Sequence, residues 1–431
     1  MKKTHQINIS DFLTIGVVST LLLVCLTILL EHSSLGHRYE VMAYEVLHQQ
    51  LAPLDRLETL PVVVVDISKV PGGKDNPTSS KTIGDIVASI TAEHPRAIGI
   101  DIDFAPDGGA WRDDGDPDFF NRCIALKEEG TPVFLGVYKT IAEGPDRWLG
   151  VKRYAELAAA ISVRGDNTLY VPHWLGADGQ RLRMLSYQLA EAYFRPKPIP
   201  GPPRTIGWAL RTEDELQSID LPSGKVTYTS TLVNYSKLEE LQREAVRSIS
   251  PQSVKEAGDL FANRIVILGD ASNDLASDKF FVPGRERLVP GVFLHACTVN
   301  TLVREPLYEF KYPIRLAIDG LLALVILTIV AIVRKYKEKA ENFDWHKLHV
   351  RCCSVAAILV IIAGLLLVRG TPIIWLDFII VAIAVFVHPQ VDEAISPHIQ
   401  KSNKWVISKW RRIFSRPQEN AEIPDDGGAA G

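Results

Sequence analysis

The sequence predicts an α/β domain with a mainly parallel sheet flanked by helices, joined to four transmembrane α-helices. Three observations carry this expectation. Apolar residues gather in four segments, Phe12 to Leu30, Leu316 to Val333, Cys352 to Val368 and Ile373 to Val387. Between the first and second, short β-branched runs alternate with amphipathic helical stretches, the pattern of βα units and a parallel sheet. Basic residues cluster beside the apolar segments rather than along the whole chain.

A spanning helix takes about 20 mostly apolar residues, because the hydrocarbon core is about 30 Å thick. Phe12 to Leu30 meets this without a charge. Lys2 and Lys3 would also suit a cleaved signal peptide, but Leu30-Glu31-His32-Ser33 offers no small-x-small cleavage site, so an uncleaved signal anchor is expected. Leu316 to Val333 carries Asp319 one turn in, at an interfacial depth. The third and fourth segments are joined by Arg369-Gly370-Thr371-Pro372, a tight turn, and the short fourth segment holds Asp377 close to it.

Lys and Arg in short loops set orientation. Lys2 and Lys3 precede the first segment. Arg334, Lys335, Lys337, Lys339, Lys347 and Arg351 follow the second, and Lys401, Lys404, Lys409, Arg411, Arg412 and Arg416 follow the fourth; the turn between the third and fourth has only Arg369. The expected organisation is a cytoplasmic N-terminus 1–11, a span 12–30 and an extracytoplasmic domain 31–311. A span 316–333, a cytoplasmic loop 334–351, spans 352–368 and 373–387 and a cytoplasmic basic tail 388–431 complete it.

The net charge of −4 gives no reason to expect nucleic acid. Within the tail, Trp405, Val406, Ile407, Trp410, Ile413 and Phe414 interleave with the basic residues. Such a stretch suits anionic lipid headgroups, and an ordinary stop-transfer flank explains it as well. Of the five cysteines, only Cys123 and Cys297 fall outside the apolar segments. They would pair in an oxidising compartment if the fold brought them together.

The outer elements follow in order. Arg38 to Leu51 reads as a helix leaving the first apolar segment. Pro61 to Ile67 is a β-branched run suited to a strand covered on both faces. Thr82 to His94 is a helix, with Ile83, Ile86, Val87 and Ile90 spaced by three and four. A strand at Ala97 to Phe104, a helix around Phe119 to Lys127 and a strand at Pro132 to Tyr138 come next. The middle gives helices at Tyr154 to Ile161 and Ser186 to Tyr193, a strand at Thr168 to Val171 and an extended stretch at Val226 to Asn234. Ala262 to Asp270 is a buried strand, and Val292 to Val303 is the closing helix.

This order resembles the CHASE type-2 domain, an extracytoplasmic sensory module of bacterial receptors. Val62 to Ile67, His94 to Phe104, Val233-Asn234-Tyr235, Asn263 to Ala271 and Pro290 to Ala296 carry the likeness, which covers roughly Arg38 to Val387. Members of the family look like one span before the domain and three after it. Two features depart from the pattern. Val70 to Pro77 stands where the family often has a Trp-Pro-rich stretch with Arg, and the residues after Val387 give no expectation of a kinase or cyclase.

The resemblance implies an integral-membrane, receptor-like sensor subunit of the bacterial inner membrane. It would bind a small extracytoplasmic ligand or report envelope conditions, and signal through a separate cytoplasmic or membrane partner. A non-sensing envelope scaffold and a metal-dependent extracytoplasmic hydrolase are the competing readings. Gly16 and Thr20 are spaced for close helix approach, which leaves a homo-oligomer open.

Ligands of open parallel sheets bind beyond the carboxyl ends of the strands. Asp66, Asp101, Asp103 and Asp270 fall at such ends, where converging carboxylates suit a cation or an amine. Capping of the following loop is the alternative for each. Asn234 follows an extended stretch and would reach the same crevice or serve a turn. His295, on an apolar helix, reads as a hydrogen-bonded core histidine or as a group titrating near neutral pH. Asp107, Asp113, Asp114, Asp116 and Asp118 lack the spacing and closing Glu of a calcium loop, and Asp274 and Asp278 read as solvated loop residues. No catalytic residue, metal or cofactor is expected. Neither a nucleophile elbow, a phosphate loop, a His-Glu-x-x-His pair nor a dinucleotide turn is present.

Overall fold

The run Val62 to Asp66 forms strand β1, whose four valines are fully buried, as a strand covered on both faces requires. It belongs to a computed structural model that describes residues 34–51, 59–70, 78–104, 114–138, 150–161, 168–175, 182–200, 210–211, 217–221, 224–228, 230–247, 254, 256–272, 278–311, 313–318, 345–376 and 378–391. A few single positions between 21 and 29, between 320 and 328, and at 394 and 398 are described as well. The chain divides into two compact units.

The larger unit holds His37–Arg315 and Ile362–Phe378. Its centre is a six-stranded sheet of β1, β2 (Ala97–Asp101), β3 (Val133–Val137), β4 (Ala158–Ala160), β5 (Val246–Arg247) and β6 (Ile265–Gly269). The order is β5-β1-β6-β2-β3-β4, and every pairing is parallel. The late strand β6 therefore lies between two early ones, and the expected parallel α/β sheet is present.

Alternate residues of these strands face opposite sides. Val63, Val65, Ile98, Ile100, Val266 and Leu268 pack with α2 (Ser80–Thr91) and α3 (Asp116–Glu128). In α2 the predicted stripe Ile83, Ile86, Val87 and Ile90 is buried. In α3, Phe119 and Phe120 meet Phe104 at centroid distances of 5.8 and 6.0 Å. Asp116 and Asp118 occupy the first turn of α3, where carboxylates suit the helix dipole, and the buried Asp116 accepts from Ser80 Oγ. Helices α4 (Leu185–Phe194), α5 (Leu238–Glu244) and α6 (Gly291–Val303) pack against the other face.

Helix α1 (Ser34–Leu51) is fastened to the unit by a buried tyrosine pair. Tyr44 Oη donates to the Val233 carbonyl at 2.8 Å and accepts from the Tyr235 amide at 3.1 Å. The two rings meet edge to face, with centroids 6.3 Å apart.

Several elements differ from the sequence expectation. The predicted helix Tyr154 to Ile161 shrinks to Lys152–Ala155, because Ala158–Ala160 pairs with β3 as an edge strand. Open backbone groups at the sheet edge outweigh alanine's helix propensity there. The apolar run from Ile373 does not begin as a helix: Ile373–Ile374 is a strand, parallel to Tyr308–Phe310. Ile373 packs with Tyr308, Phe310 and Leu367 in a small apolar cluster. Cys123 and Cys297 are buried free thiols, on the helices of opposite sheet faces.

The second unit holds Met1–Gly36, Leu316–Ile361 and Ile379–Gly431. Helix α7 (Trp345–Gly370) contains the predicted segment Cys352 to Val368. Among the described residues its Val350–Arg369 portion is the one helix long and apolar enough to cross a membrane, and Phe378–Val391 is a shorter apolar helix. Most of Phe12 to Leu30 and much of Leu316 to Val333 lie outside the described residues, as do Asp107, Asp113, Asp274 and the tail from Lys401.

Gly269 makes the packing of α6 testable. A Cβ there would lie 2.8 and 2.9 Å from Val292 side-chain atoms and 3.1 Å from the Asp101 Cβ. Gly269→Ala is expected to destabilise the full-length protein by about 1–3 kcal/mol through overpacking. Adding Val292→Ala should recover part of that loss, giving a double-mutant coupling of about 1 kcal/mol. Additive losses in chemical denaturation would show that α6 does not pack on Gly269.

Candidate functional site: the carboxyl ends of β1, β6 and β2

The three central strands end level, with Asp66 paired to Gly269 and Gly269 to Asp101. Residues at one level of a parallel sheet share a face, and neighbouring strands are about 4.8 Å apart. Asp66 and Asp101 thus stand about 10 Å apart across a residue without a side chain. Theirs is the face covered by α4 and α6, since a Cβ at Gly99 would strike Leu189 and Leu185, and one at Gly269 would strike Val292.

Most of the predicted carboxylates are occupied locally. Asp66 Oδ1 accepts from the amides of Ser68 at 3.0 Å and Ala271 at 3.2 Å, joining the exits of β1 and β6. Asp270 Oδ1 accepts from the Ser272 amide at 2.8 Å, a local Asx turn. β2 ends at Asp101, so Asp103 lies beyond the strand and accepts from the Tyr138 amide at 3.1 Å. Among the described residues no group of three or more His, Cys, Asp or Glu side chains is placed to hold a metal ion. Asp66, Asp103 and Asp270 thus serve as the local caps that were the alternative for each, and Asp101, near enough to Asp270 to feel its charge, accepts no hydrogen bond among the described residues.

Asp101 differs in kind. Its side chain is 6% exposed, no hydrogen bond reaches it among the described residues, and His295 Nε2 lies 3.9 Å from its Oδ1. That separation is too long for a hydrogen bond. His295, one turn into α6, is 1% exposed, and its Nδ1 has no hydrogen-bond partner. His295 is therefore a core histidine, as one of its two expected roles has it, with a contact to the Ile161 backbone and with its ring facing a buried carboxyl.

Asp278 completes the group. Its carbonyl accepts from the Gly291 amide at 2.9 Å, and a Cβ at Gly291 would lie 2.5 Å from its Oδ2, so the carboxylate lies over the first turn of α6. As an exposed residue it stands at the mouth of the cluster. Its exposure matches the expected solvated loop residue, while its approach to Asp101 is set by the tie to Gly291.

Burial sets the charges. Desolvation, with Asp270 adding repulsion, pushes Asp101 up to about 7. Desolvation pushes His295 down to about 4, opposed by the Asp278 charge and the Ile161 backbone. Desolvation and the Asp101 charge move Asp278 upward too, and water at the mouth screens that effect. Near neutral pH the imidazole is uncharged and Asp101 is on the edge of ionising.

Asn234 belongs elsewhere. Its amide donates to Thr301 Oγ1 at 2.8 Å, its Nδ2 donates to Glu305 at 3.0 Å, and its Oδ1 accepts from the Ser236 amide at 3.0 Å. It is a turn residue bound to the C-terminal end of α6, six positions beyond His295. A cleft of about 660 Å³ lies at the opposite, amino ends of the strands, beside Thr59, Arg96 and Arg264. The rule about strand carboxyl ends gave no reason to look there.

Fold and site define an α/β domain of the covered parallel-sheet class, with buried titratable groups at its strand exits. The family model of the CHASE2 domain matches residues 19–333, and the chain belongs to that family, one of extracytoplasmic sensory domains. No curated protein and no solved structure matches it significantly.

Asp101 keeps its proton in the folded protein up to about pH 7, while an unfolded carboxyl ionises near its ordinary value of 3.8. Between these values the unfolded state releases a proton that the folded state retains, so this contribution to stability falls as pH rises. His295 acts in the opposite sense, losing stability as pH falls from its ordinary 6.5 toward about 4. Asp101→Asn removes only the first contribution. The variant should therefore gain on the wild type as pH rises from about 4 to about 7, by up to about 4 kcal/mol. A stability difference that stays constant across that range would show that Asp101 titrates alike in the folded and unfolded states and so refute its retained proton.

Proposed function

We propose that this chain is an integral-membrane, receptor-like sensor subunit whose extracytoplasmic domain reports envelope acidity through Asp101 and His295. A separate cytoplasmic or membrane partner receives the signal. The observation that carries this reading is the buried Asp101–His295 pair, 3.9 Å apart, on a strand end and on a helix that reaches the rest of the domain. Ionising Asp101 places a charge against a desolvated imidazole, and either proton uptake by His295 or displacement of α6 relieves it.

The ties of α6 favour transmission. Thr301 and Glu305 bind Asn234, and the flanking Val233 and Tyr235 hold Tyr44 of α1. α1 follows the first apolar segment in sequence. Beyond α6, Tyr308–Phe310 pairs with Ile373–Ile374, the stretch between the third apolar segment and the apolar helix Phe378–Val391. A displacement of α6 thus has a bonded route toward each of these segments.

The same pairing supports an outer position for the domain, because it keeps the turn after Gly370 on the domain's own side. With the basic loops on the other side, both termini are cytoplasmic and the membrane is the bacterial inner membrane. Alkaline phosphatase fused after Pro200 should be active and a fusion within the loop 334–344 inactive; the reverse pattern would sink this topology.

Hydrogen exchange tests the sensing step. Full-length protein in nanodiscs, compared at about pH 5 and about pH 8 with correction for intrinsic rates, should change protection in both α6 and α1. Asp101→Asn should abolish the change in α1. Protection of α1 that ignores pH, or that responds equally in the variant, would leave the domain without a signal to send.

A further inference from the structure

The cleft at the amino ends of the strands has a chemistry of its own, opposite in charge to the Asp101 cluster. It forms where the chain enters the three central strands, beside Thr59 to Pro61 before β1, Arg96 before β2 and Arg264 before β6, with Arg304 at the end of α6. Three guanidinium groups line it against two carboxylates, Glu256 and Asp259.

Arg264 is the informative residue. Its side chain is 8% exposed, yet its hydrogen bonds both leave from one nitrogen, Nη2, to the Val62 carbonyl at 3.1 Å and to Glu244 at 2.9 Å. Its Nε is buried and has no partner. A buried N–H left unmet is costly, more so on a charged group. A guanidinium with donors to spare is matched by the paired oxygens of a carboxylate or phosphate. The single carboxylate it does bind, Glu244, is 38% exposed and so partly screened by water.

Arg96, exposed at the rim, lies over the Tyr193 ring at 5.9 Å, which limits where its charge can go. Tyr193, Leu60 and Leu260 supply apolar lining for a carbon frame. A volume of about 660 Å³ is large for a bare inorganic ion and ordinary for a small organic molecule.

We propose that this cleft binds a small soluble organic oxyanion, a carboxylate or a phosphate ester, through Arg96, Arg264 and Arg304. The site stands at the far end of the sheet from Asp101 and does not depend on the sensing reading. It gives the domain a ligand site besides its response to pH, and it places that ligand against Arg304, one residue before Glu305 in the Asn234 network.

The test uses full-length protein in phosphatidylcholine nanodiscs, with citrate and inorganic phosphate as probes at matched ionic strength. Citrate should raise the melting temperature, bind with measurable heat and outcompete inorganic phosphate. Arg96→Ala with Arg304→Ala, both exposed positions, should leave the protein folded with a cooperative unliganded melt and weaken citrate by at least about tenfold. Asp101→Asn should bind citrate as the wild type does, which separates failure here from failure of the acidity sensor. The absence of a response to either probe, an undiminished response in the double variant, or a response that appears only when phosphatidylglycerol is added to the nanodisc would overturn the proposal.

Discussion

The insertion of Ile265–Gly269 between Val62–Asp66 and Ala97–Asp101 is the constraint on which the domain depends. Both neighbours of this strand are far earlier in the chain, and Arg264 at its start reaches a carbonyl 202 residues away. Closing such loops costs only slowly more as they lengthen, so the cost is modest in stability and larger in folding rate. What the insertion provides is a central strand with partners on both sides. The Ile265 amide donates to the Pro61 carbonyl at 2.8 Å, the Arg96 amide to the Arg264 carbonyl at 2.8 Å and the Ile67 amide to the Gly269 carbonyl at 3.0 Å. Amino and carboxyl ends are thereby aligned across three strands, and both candidate sites are products of that alignment.

At the carboxyl end the level finish brings Asp66, Gly269 and Asp101 side by side. Because the middle residue is glycine, α6 settles onto the sheet, and Val292 fills the place a side chain would take. The same close approach excludes water from Asp101 and carries His295 against it. Packing and titration are therefore one arrangement: any change that lifts α6 from Gly269 also rehydrates Asp101. This linkage gives a protonation event leverage over a helix, since a carboxyl raised to about 7 by burial returns toward its ordinary value once water reaches it.

What was legible in the sequence follows the range of the interactions that decide each element. The strands of β1, β2, β3 and β6 are runs of buried β-branched and apolar residues, and α2 has its stripe, so local pattern located them. Ala158–Ala160 and Ile373–Ile374 become strands only because distant edges offer pairing, and their local patterns read as helix and as membrane span. The carboxylates divide in the same way. Four Asp residues at strand ends were visible, but which of them keeps a free carboxyl depends on whether an amide from another loop arrives, as those of Ala271 and Tyr138 do for Asp66 and Asp103. Asp278 and the arginine-lined cleft carry no local signature at all, since each gathers residues from several strand ends or loops.

The link from Tyr44 of α1 to α6 includes a chain of buried and part-buried hydrogen bonds beside the Tyr44–Tyr235 ring contact. Tyr44, Val233, Tyr235, Asn234, Thr301 and Glu305 form a chain in which each bond has a direction and a length. Apolar contacts tolerate sliding and give many nearly equal arrangements, whereas a buried donor that loses its acceptor meets the full cost of desolvation. A shift of α6 by a fraction of a turn therefore cannot be absorbed gradually at Asn234. Either α1 follows, or a buried amide is left without a partner. This bracket fixes the register of α6 against α1, and under the proposed sensing role it is the path by which a change at His295 would reach the helix that follows the first apolar segment.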